Sequence, residues 1–169
     1  MINDRPECLD ALIEGKANPN AVFMGETALS IAARQNRDRI MKKLLDYSTT
    51  KSDVRNETGG TVLHFAAAGT LISVSRIVGR RSCRCSGMID SCECVDLLIK
   101  AGVAINSQDQ RGNTPLMVAC FFNKPRILQS LITAKADLSI KNNEGKDAMA
   151  ICEDRDLDEC KVVLQNARK

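Results

Sequence analysis

Apolar and small residues recur along the chain in short blocks that lie about one repeat length apart. Each block begins with glycine, continues through threonine or aspartate, and then runs into leucine, methionine and alanine. The four blocks are residues 25–33, 59–67, 112–120 and 145–152. The spacing from Thr27 to Thr61, and from Thr114 to Asp147, is in each case about 33 residues, a length typical of helical repeats. The spacing from Thr61 to Thr114 exceeds this period by about 20 residues, which indicates an insertion. The recurring period predicts a repeat architecture.

A second pattern, a pair of adjacent apolar residues, follows these blocks in phase. A leucine follows the threonine or aspartate of each block at one constant spacing, and after Thr61 the insertion lengthens that spacing. The pairs are Leu44-Leu45, Leu98-Ile99 and Leu131-Ile132, with Leu12-Ile13 as a further pair that no block precedes. Leu164 stands at the same spacing in the last repeat, where the polar Gln165 follows it, as expected of a C-terminal cap. With an apolar residue four positions earlier, such as Ile40, each pair forms one stripe on a helix. Together the patterns predict a short first helix and a second helix in every full repeat.

The residues near the start of each block are suited to begin a helix. Threonine and aspartate side chains can accept hydrogen bonds from the free backbone N–H groups of a first helical turn. They stand at Thr27, Thr61, Thr114 and Asp147. Pro115 follows its threonine at the first helical position, where proline is well tolerated. Small residues later in the blocks allow the first helices to pack closely on their neighbours, and these are Ala32-Ala33, Ala66-Ala67 and Ala119-Cys120.

The blocks carry a motif that can be compared with known repeats. Gly112–Leu116 reads Gly-Asn-Thr-Pro-Leu, and Gly60–Ala67 reads Gly-Thr-Val-Leu-His-Phe-Ala-Ala, which includes His64. In this respect the chain resembles the ankyrin repeat family, whose unit of about 33 residues consists of a turn and two helices. The resemblance implies an all-α ankyrin-repeat solenoid of stacked helix-turn-helix units with projecting turns. It also implies that His64 hydrogen-bonds to the backbone of a neighbouring turn.

The repeat pattern predicts the organisation of a single domain, residues 1–169. Its parts are a half repeat at about 8–22, repeats at about 23–56, 57–109 and 110–142, and a C-terminal cap at 143–169. The second repeat carries the insertion, at about 70–90. The half repeat lacks a first helix, so either the missing half lies upstream in a longer protein or the leader serves as a cap. Residues 71–78 could supply the second helix of the repeat with the insertion. We favour residues 94–99, because the expected turn follows them.

The eight cysteines, in a chain without a secretory signal, predict a reducing compartment. Alignment on the apolar pairs places five of them in the core, namely Cys8, Cys94, Cys120, Cys152 and Cys160. The insertion and its boundary carry two Cys-x-Cys pairs, and we interpret this segment as an ordinary loop. The alternative is a metal- or redox-regulated adaptor in which four cysteines form a zinc clip or a redox-sensitive pair. Those four are Cys83, Cys85, Cys92 and Cys94. The spacing between the pairs is long for structural zinc, and the core requires Cys94.

The resemblance implies a protein–protein interaction module that binds another protein or a peptide on a concave face of turn tips and first helices. Phe23, Phe121 and Phe122 fall where this repeat has exposed polar residues, whereas Phe65 falls at a buried position. Exposed aromatic side chains indicate a binding site. The alternative is that one of them, Phe122 before Phe121, packs against a neighbouring repeat. The candidate contact residues are Phe23, Met24, Arg34, Asn56, Glu57, Arg111, Asn113, Phe121, Phe122 and Asn123.

The composition argues against several other classes of function. A net charge of +3 without a clustered basic face, one tyrosine and no tryptophan disfavour a nucleic-acid partner. No apolar run approaches the ~20 residues of a membrane helix, so we predict no membrane association. One histidine, and no glycine-rich phosphate loop or metal triad, predict a protein that is not an enzyme and has no cofactor. We expect a cytoplasmic or nuclear protein that is part of a larger protein or complex.

Overall fold

The computed structural model describes residues 10–12, 14–23, 25–47, 51–69 and 92–168 of the chain. Within these ranges the helices follow one another in pairs. They are α1 (Ala28–Arg34), α2 (Asp38–Asp46), α3 (Val62–Ala68), α4 (Glu93–Lys100), α5 (Pro115–Phe121), α6 (Pro125–Thr133), α7 (Ala148–Asp154) and α8 (Asp158–Ala167). Residues 10–12 and 14 are also helical. The all-α fold and the pairing of a short first helix with a second helix are confirmed.

The helices form two layers. The first helices pack on one another in the order α1, α3, α5 and α7, and the second helices pack in the order α2, α4, α6 and α8. Each first helix also packs on the second helix of its own repeat. Every interior repeat therefore contacts the repeat before it and the repeat after it, which is the arrangement of a solenoid.

The predicted helix-capping residues lie at the helix starts. The side chains of Thr27, Thr114 and Asp147 accept hydrogen bonds from backbone N–H groups one turn into α1, α5 and α7. Pro115 is the first residue of α5, as the sequence predicts. At the start of α3, the N–H of Thr61 donates to Nδ1 of His64 at 3.1 Å. These bonds satisfy donors that would otherwise be left free at each helix start.

The core of the second layer corrects the predicted apolar stripe by one position. Leu164 and the leucines that begin the apolar pairs of α2, α4 and α6 are at most 1% exposed, and those three are Leu44, Leu98 and Leu131. The second members Leu45, Ile99 and Ile132 are only half-buried. In these three helices the residue three positions before the leucine is buried instead, and these residues are Met41, Val95 and Leu128. Residues three apart share a helix face, so the stripe is centred one residue earlier than the pairs suggested.

The small residues of the first helices are buried as predicted. The alanine pairs of α1 and α3, and Ala119-Cys120 of α5, have almost no exposed surface. Phe65 is only half-buried, which corrects the expectation of a fully buried ring, although it packs against the core. The helix α4 coincides with the register that we favoured after the insertion. The insertion at 70–90, the competing segment at 71–78 and Cys8 lie outside the described residues.

Candidate functional site

A groove of about 790 Å³ lies between the turn tips and the first helices of the last two repeats. Four apolar residues line it, and they are Val118, Phe121, Phe122 and Ile151. Charged residues from the turns and from the end of α7 surround them. Of the candidate contact residues, the groove brings together Arg111, Asn113, Phe121 and Phe122. It is therefore the place where the sequence-predicted residues are most concentrated.

The turns that form one wall of the groove share a hydrogen-bonding pattern. The side-chain Oδ1 atom of Asp109 accepts from the backbone N–H groups of Arg111 and Asn113, at 2.9 and 2.8 Å. Asn56 and Asn142 do the same within their own turns, with contacts of 2.8 to 3.0 Å. Asparagine and aspartate are favoured in turns for this reason. The position of Asn56, which the sequence analysis had included among the contact residues, is therefore explained by the structure of the turn.

Adjacent turns are also joined to one another. The backbone N–H of Gln110 donates to the carbonyl of Thr58 at 3.0 Å, and that of Asn143 donates to the carbonyl of Arg111 at 2.9 Å. Gly112 has a φ of +76°, and a Cβ atom there would lie 2.8 Å from the backbone nitrogen of Asn143. Only glycine fits this close approach without a shift. These hydrogen bonds between successive turns fix the position and direction of the turn that carries Arg111.

The two phenylalanines at the end of α5 differ in environment. Phe121 is half-buried and packs against the core, and the guanidinium carbon of Arg155 lies 5.3 Å from its ring centroid. Arg155 also donates through Nη1 to the backbone oxygen of Phe121 at 2.6 Å. Phe122 is 40% exposed. The expectation that Phe122 would be the one to pack is wrong, because Phe121 stands one turn after the buried Met117 and shares its face.

The other wall of the groove carries an ion-pair cluster. The Nζ atom of Lys146 lies 2.8 Å from Asp154 and 3.3 Å from Glu144. The hydrogen bond to Asp154, followed by that to Glu144, raises the pKa of Lys146. One ammonium group is thus shared between two carboxylates, which offsets part of the negative charge on this side of the groove.

Several candidate contact residues lie outside the groove. Phe23 is 73% exposed in the first turn, and Arg34 forms an ion pair with Glu26 at 2.9 Å. Glu57 is exposed at the second turn tip. Asn123 has a φ of +50°, and its side-chain oxygen accepts from the thiol of Cys160 at 3.3 Å. Met24 lies outside the described residues. The structure therefore divides the candidates among the groove, the first two repeats and, for Asn123, the connection between α5 and α6.

Asn113 is more buried than its prediction as a contact residue required. It lines the groove but is only 7% exposed, and its Oδ1 atom accepts from the side-chain nitrogen of Asn142 at 3.0 Å. Its backbone oxygen lies 2.9 Å from Nε2 of His64. With its amide and its carbonyl oxygen both bonded within the fold, Asn113 supports the groove wall and presents little surface for contact.

Two residues on the α7 side of the groove were not among the contact residues predicted from the sequence. Asp154 and Arg155 occupy the same repeat positions as Phe121 and Phe122, one period later. Comparison of these positions across repeats could have found them. Exposed aromatic residues indicated a binding site at α5. Charged residues near the C-terminal end of a helix are common on any protein surface and do not by themselves indicate one.

The cysteines and His64 serve the fold in the described part of the chain. Cys94, Cys120, Cys152 and Cys160 are buried, as predicted. Burial raises the pKa of Cys94 to about 12, which favours the neutral thiol at this core position. Cys83 and Cys85 lie outside the described residues. Among the described residues there is no cluster of three or more side chains suited to a metal ion, and none of the helices there is long and apolar enough to span a membrane.

Comparison with known proteins agrees with this arrangement. The family model for ankyrin repeats (three copies) matches residues 1–79 and 83–169. The chain is 26% identical to the nuclear factor NF-kappa-B p105 subunit of Gallus gallus, over 99% of this chain and 16% of that protein. It is 26% identical to the B-cell lymphoma 3 protein homolog of Mus musculus, over 83% of this chain and 28% of that protein. Protein phosphatase 1 regulatory subunit 27 of Homo sapiens is 43% identical over 31% of this chain and 34% of that protein. The chain thus spans about a third or less of these relatives, and it belongs to the ankyrin repeat family.

Proposed function

We propose that the chain is a non-catalytic protein-interaction module that binds a segment of a partner protein in the groove between the last two repeats. The observation that carries this proposal is the exposed ring of Phe122 beside the partly exposed apolar side chains of Val118 and Phe121. A large apolar side chain held in water on a concave surface is typical of an interaction site. Aromatic and arginine residues, both present here, contribute a large share of the binding free energy at interfaces.

The rigidity of the groove supports this role. Its turn wall is fixed by hydrogen bonds between successive turns, and its floor is formed by α5 and α7, which pack on each other and on the second helices of their own repeats. A preformed surface binds with a smaller loss of conformational entropy than a mobile one. Since the chain spans about a third or less of the relatives described above, we place the module within a larger protein or complex. Its buried free thiols suit the cytoplasm or the nucleus.

The proposal can be tested with ligands selected from an unbiased library of displayed peptides. Each selected peptide is titrated against the wild-type chain, Phe122→Ser and Val162→Ser. Val162 is a matched control, since it is an exposed apolar residue of α8 that does not line the groove. We expect Phe122→Ser to weaken binding by about tenfold or more, equivalent to ~1–3 kcal/mol, and Val162→Ser to leave it unchanged.

A third variant distinguishes the two exposed aromatic sites. Phe23→Ser removes the most exposed phenylalanine, which lies in the first turn and outside the groove. Retained binding with this variant, together with protection from hydrogen exchange at residues 111–122 and 144–155, supports the proposal. Peptides that lose affinity with Phe23→Ser but bind Phe122→Ser normally would place the binding site at the other end of the stack.

A further inference from the structure

We infer that the partner segment bound in the groove carries an apolar anchor residue with an acidic residue close to it. This inference rests on the proposed function and adds the chemistry of the partner. The groove presents an exposed aromatic ring, Phe122, and an exposed guanidinium group, Arg111, on the same concave surface. An apolar side chain and a carboxylate are the groups that these two features bind best.

The apolar half of the site has room for an anchor side chain. Phe122 lies one helical turn after Val118, so the two side chains share a face of α5. Ile151 of α7 borders the groove from the adjacent repeat but is only 2% exposed, so Val118 and Phe122 supply the accessible apolar surface. A charged group placed against these side chains would lose hydration without gaining a partner, which is unfavourable. The segment that occupies this part of the groove is therefore expected to be leucine-, isoleucine- or phenylalanine-like.

The charged side chains of the groove differ in the hydrogen bonds and ion pairs that they form within the fold. Three cations and three carboxylates line it, and these are Arg111, Lys146, Arg155, Asp109, Glu144 and Asp154. Their formal charges sum to zero, so net charge alone does not decide the partner. The carboxylates already have donors within the fold. Asp109 accepts from the backbone N–H groups of its own turn, and the other two carboxylates share Lys146.

Arg111 and Arg155, in contrast, have guanidinium N–H groups that can donate hydrogen bonds to a partner. Arg111 is fixed through its backbone, which bonds to Asp109 at 2.9 Å and to Asn143 at 2.9 Å. Its guanidinium group makes no hydrogen bond or ion pair within the described residues. Arg155 uses Nη1 on the Phe121 carbonyl and stacks over that ring, which leaves further N–H donors. A basic partner would meet these two cations, and near Glu144 and Asp154 it would also meet the ammonium group of Lys146 that they already hold. An acidic side chain would meet free donors.

Paired charge variants of opposite sign test this inference. The probe is a set of synthetic peptides of about twelve residues, each with a central leucine or phenylalanine and with acidic, neutral or basic flanks, long enough to lie extended along the groove. We expect the acidic set to bind most tightly and Arg111→Glu to weaken it at least tenfold. Arg126→Glu is the matched control, because Arg126 is an exposed residue of α6 outside the groove. It changes the total charge by the same amount and should leave the affinity within about twofold.

The ion-pair cluster supplies a variant that should increase affinity. Glu144→Gln removes one of the two carboxylates that share Lys146, so the groove becomes more positive and acidic peptides should bind two- to fivefold more tightly. Raising the salt concentration from about 0.05 M to about 0.5 M should reduce this difference, because salt screens exposed charges. Tighter binding of basic peptides, or an Arg111→Glu variant that binds acidic peptides normally, overturns the inference. If the peptides still require Phe122 in that case, the proposed function stands. If Phe122→Ser also has no effect, the proposed function fails as well.

Discussion

The Nε2 atom of His64 in α3 lies 2.9 Å from the backbone oxygen of Asn113, which belongs to the turn of the following repeat. On the other side of the ring, Nδ1 accepts the N–H of Thr61 at 3.1 Å. The Nδ1 atom is therefore the acceptor, and Nε2 carries the proton that it donates to Asn113. One neutral, buried imidazole thus joins the start of α3 to the turn that forms the wall of the groove.

This relationship predicts a loss of stability in acid. Burial lowers the pKa of His64, and protonation of Nδ1 would also remove the acceptor of the Thr61 N–H. The unfolded-state pKa is about 6.5, so the stabilisation from the neutral ring is complete above that pH and is lost as pH falls through the lower folded-state pKa. We expect the free energy of unfolding in urea to fall more steeply between about pH 7.5 and about pH 5 in the wild type than in His64→Gln. Parallel pH profiles for the two proteins would show that His64 is not the titrating group.

A second prediction compares adjacent residues in α6. Leu131 is fully buried, whereas Ile132, the second member of the same apolar pair, is half-buried. Leu131→Ala should lower the free energy of unfolding by ~2–5 kcal/mol, because it leaves a cavity between layers. Ile132→Ala removes a side chain of the same size from a position with less burial and should cost clearly less. If chemical denaturation showed equal losses of unfolding free energy for the two variants, Ile132 would contribute to the core as much as Leu131, as the apolar pair suggested.

These comparisons show which features a single sequence can predict. Local chemistry predicted the helix starts, because the Thr27, Thr114 and Asp147 side chains need only their own first turn to act as caps. The period predicted the stacking of the repeats. It did not predict which of two adjacent phenylalanines faces the core, because the period does not show that Met117, one turn before Phe121, is buried, nor that Arg155 of the next repeat covers the Phe121 ring. The burial of Asn113 was missed for a similar reason, because its partners His64 and Asn142 lie 49 and 29 residues away along the chain.

A third prediction concerns the reactivity of thiols. Cys94 is buried in α4 with a pKa of about 12, whereas Cys92, just before the helix, is half-buried. A thiol with such a pKa is only about one ten-thousandth ionised at about pH 8, and the thiolate is the reactive form. We expect iodoacetamide to modify Cys92 of the folded chain at least tenfold faster than Cys94, as followed by peptide mass spectrometry. In a strong denaturant the two rates should become similar. Rapid modification of Cys94 in the folded protein would contradict its placement in the core.

The final prediction separates the roles of the two phenylalanines at the end of α5. Phe121 packs against the core and under Arg155, so Phe121→Ser should lower the free energy of unfolding by roughly 1–3 kcal/mol, less than the ~3–5 kcal/mol of a fully buried phenylalanine. Phe122 is partly in water, and Phe122→Ser should change stability by only about 0.5 kcal/mol. Urea denaturation measures these values, and titration with a groove-binding peptide measures affinity on the same samples. We expect the order to reverse in the binding measurement once the fraction of folded protein is taken into account, with Phe122→Ser losing more affinity than Phe121→Ser. If Phe122→Ser proved the more destabilising variant, Phe122 would be a packing residue, and the groove would lose its exposed anchor.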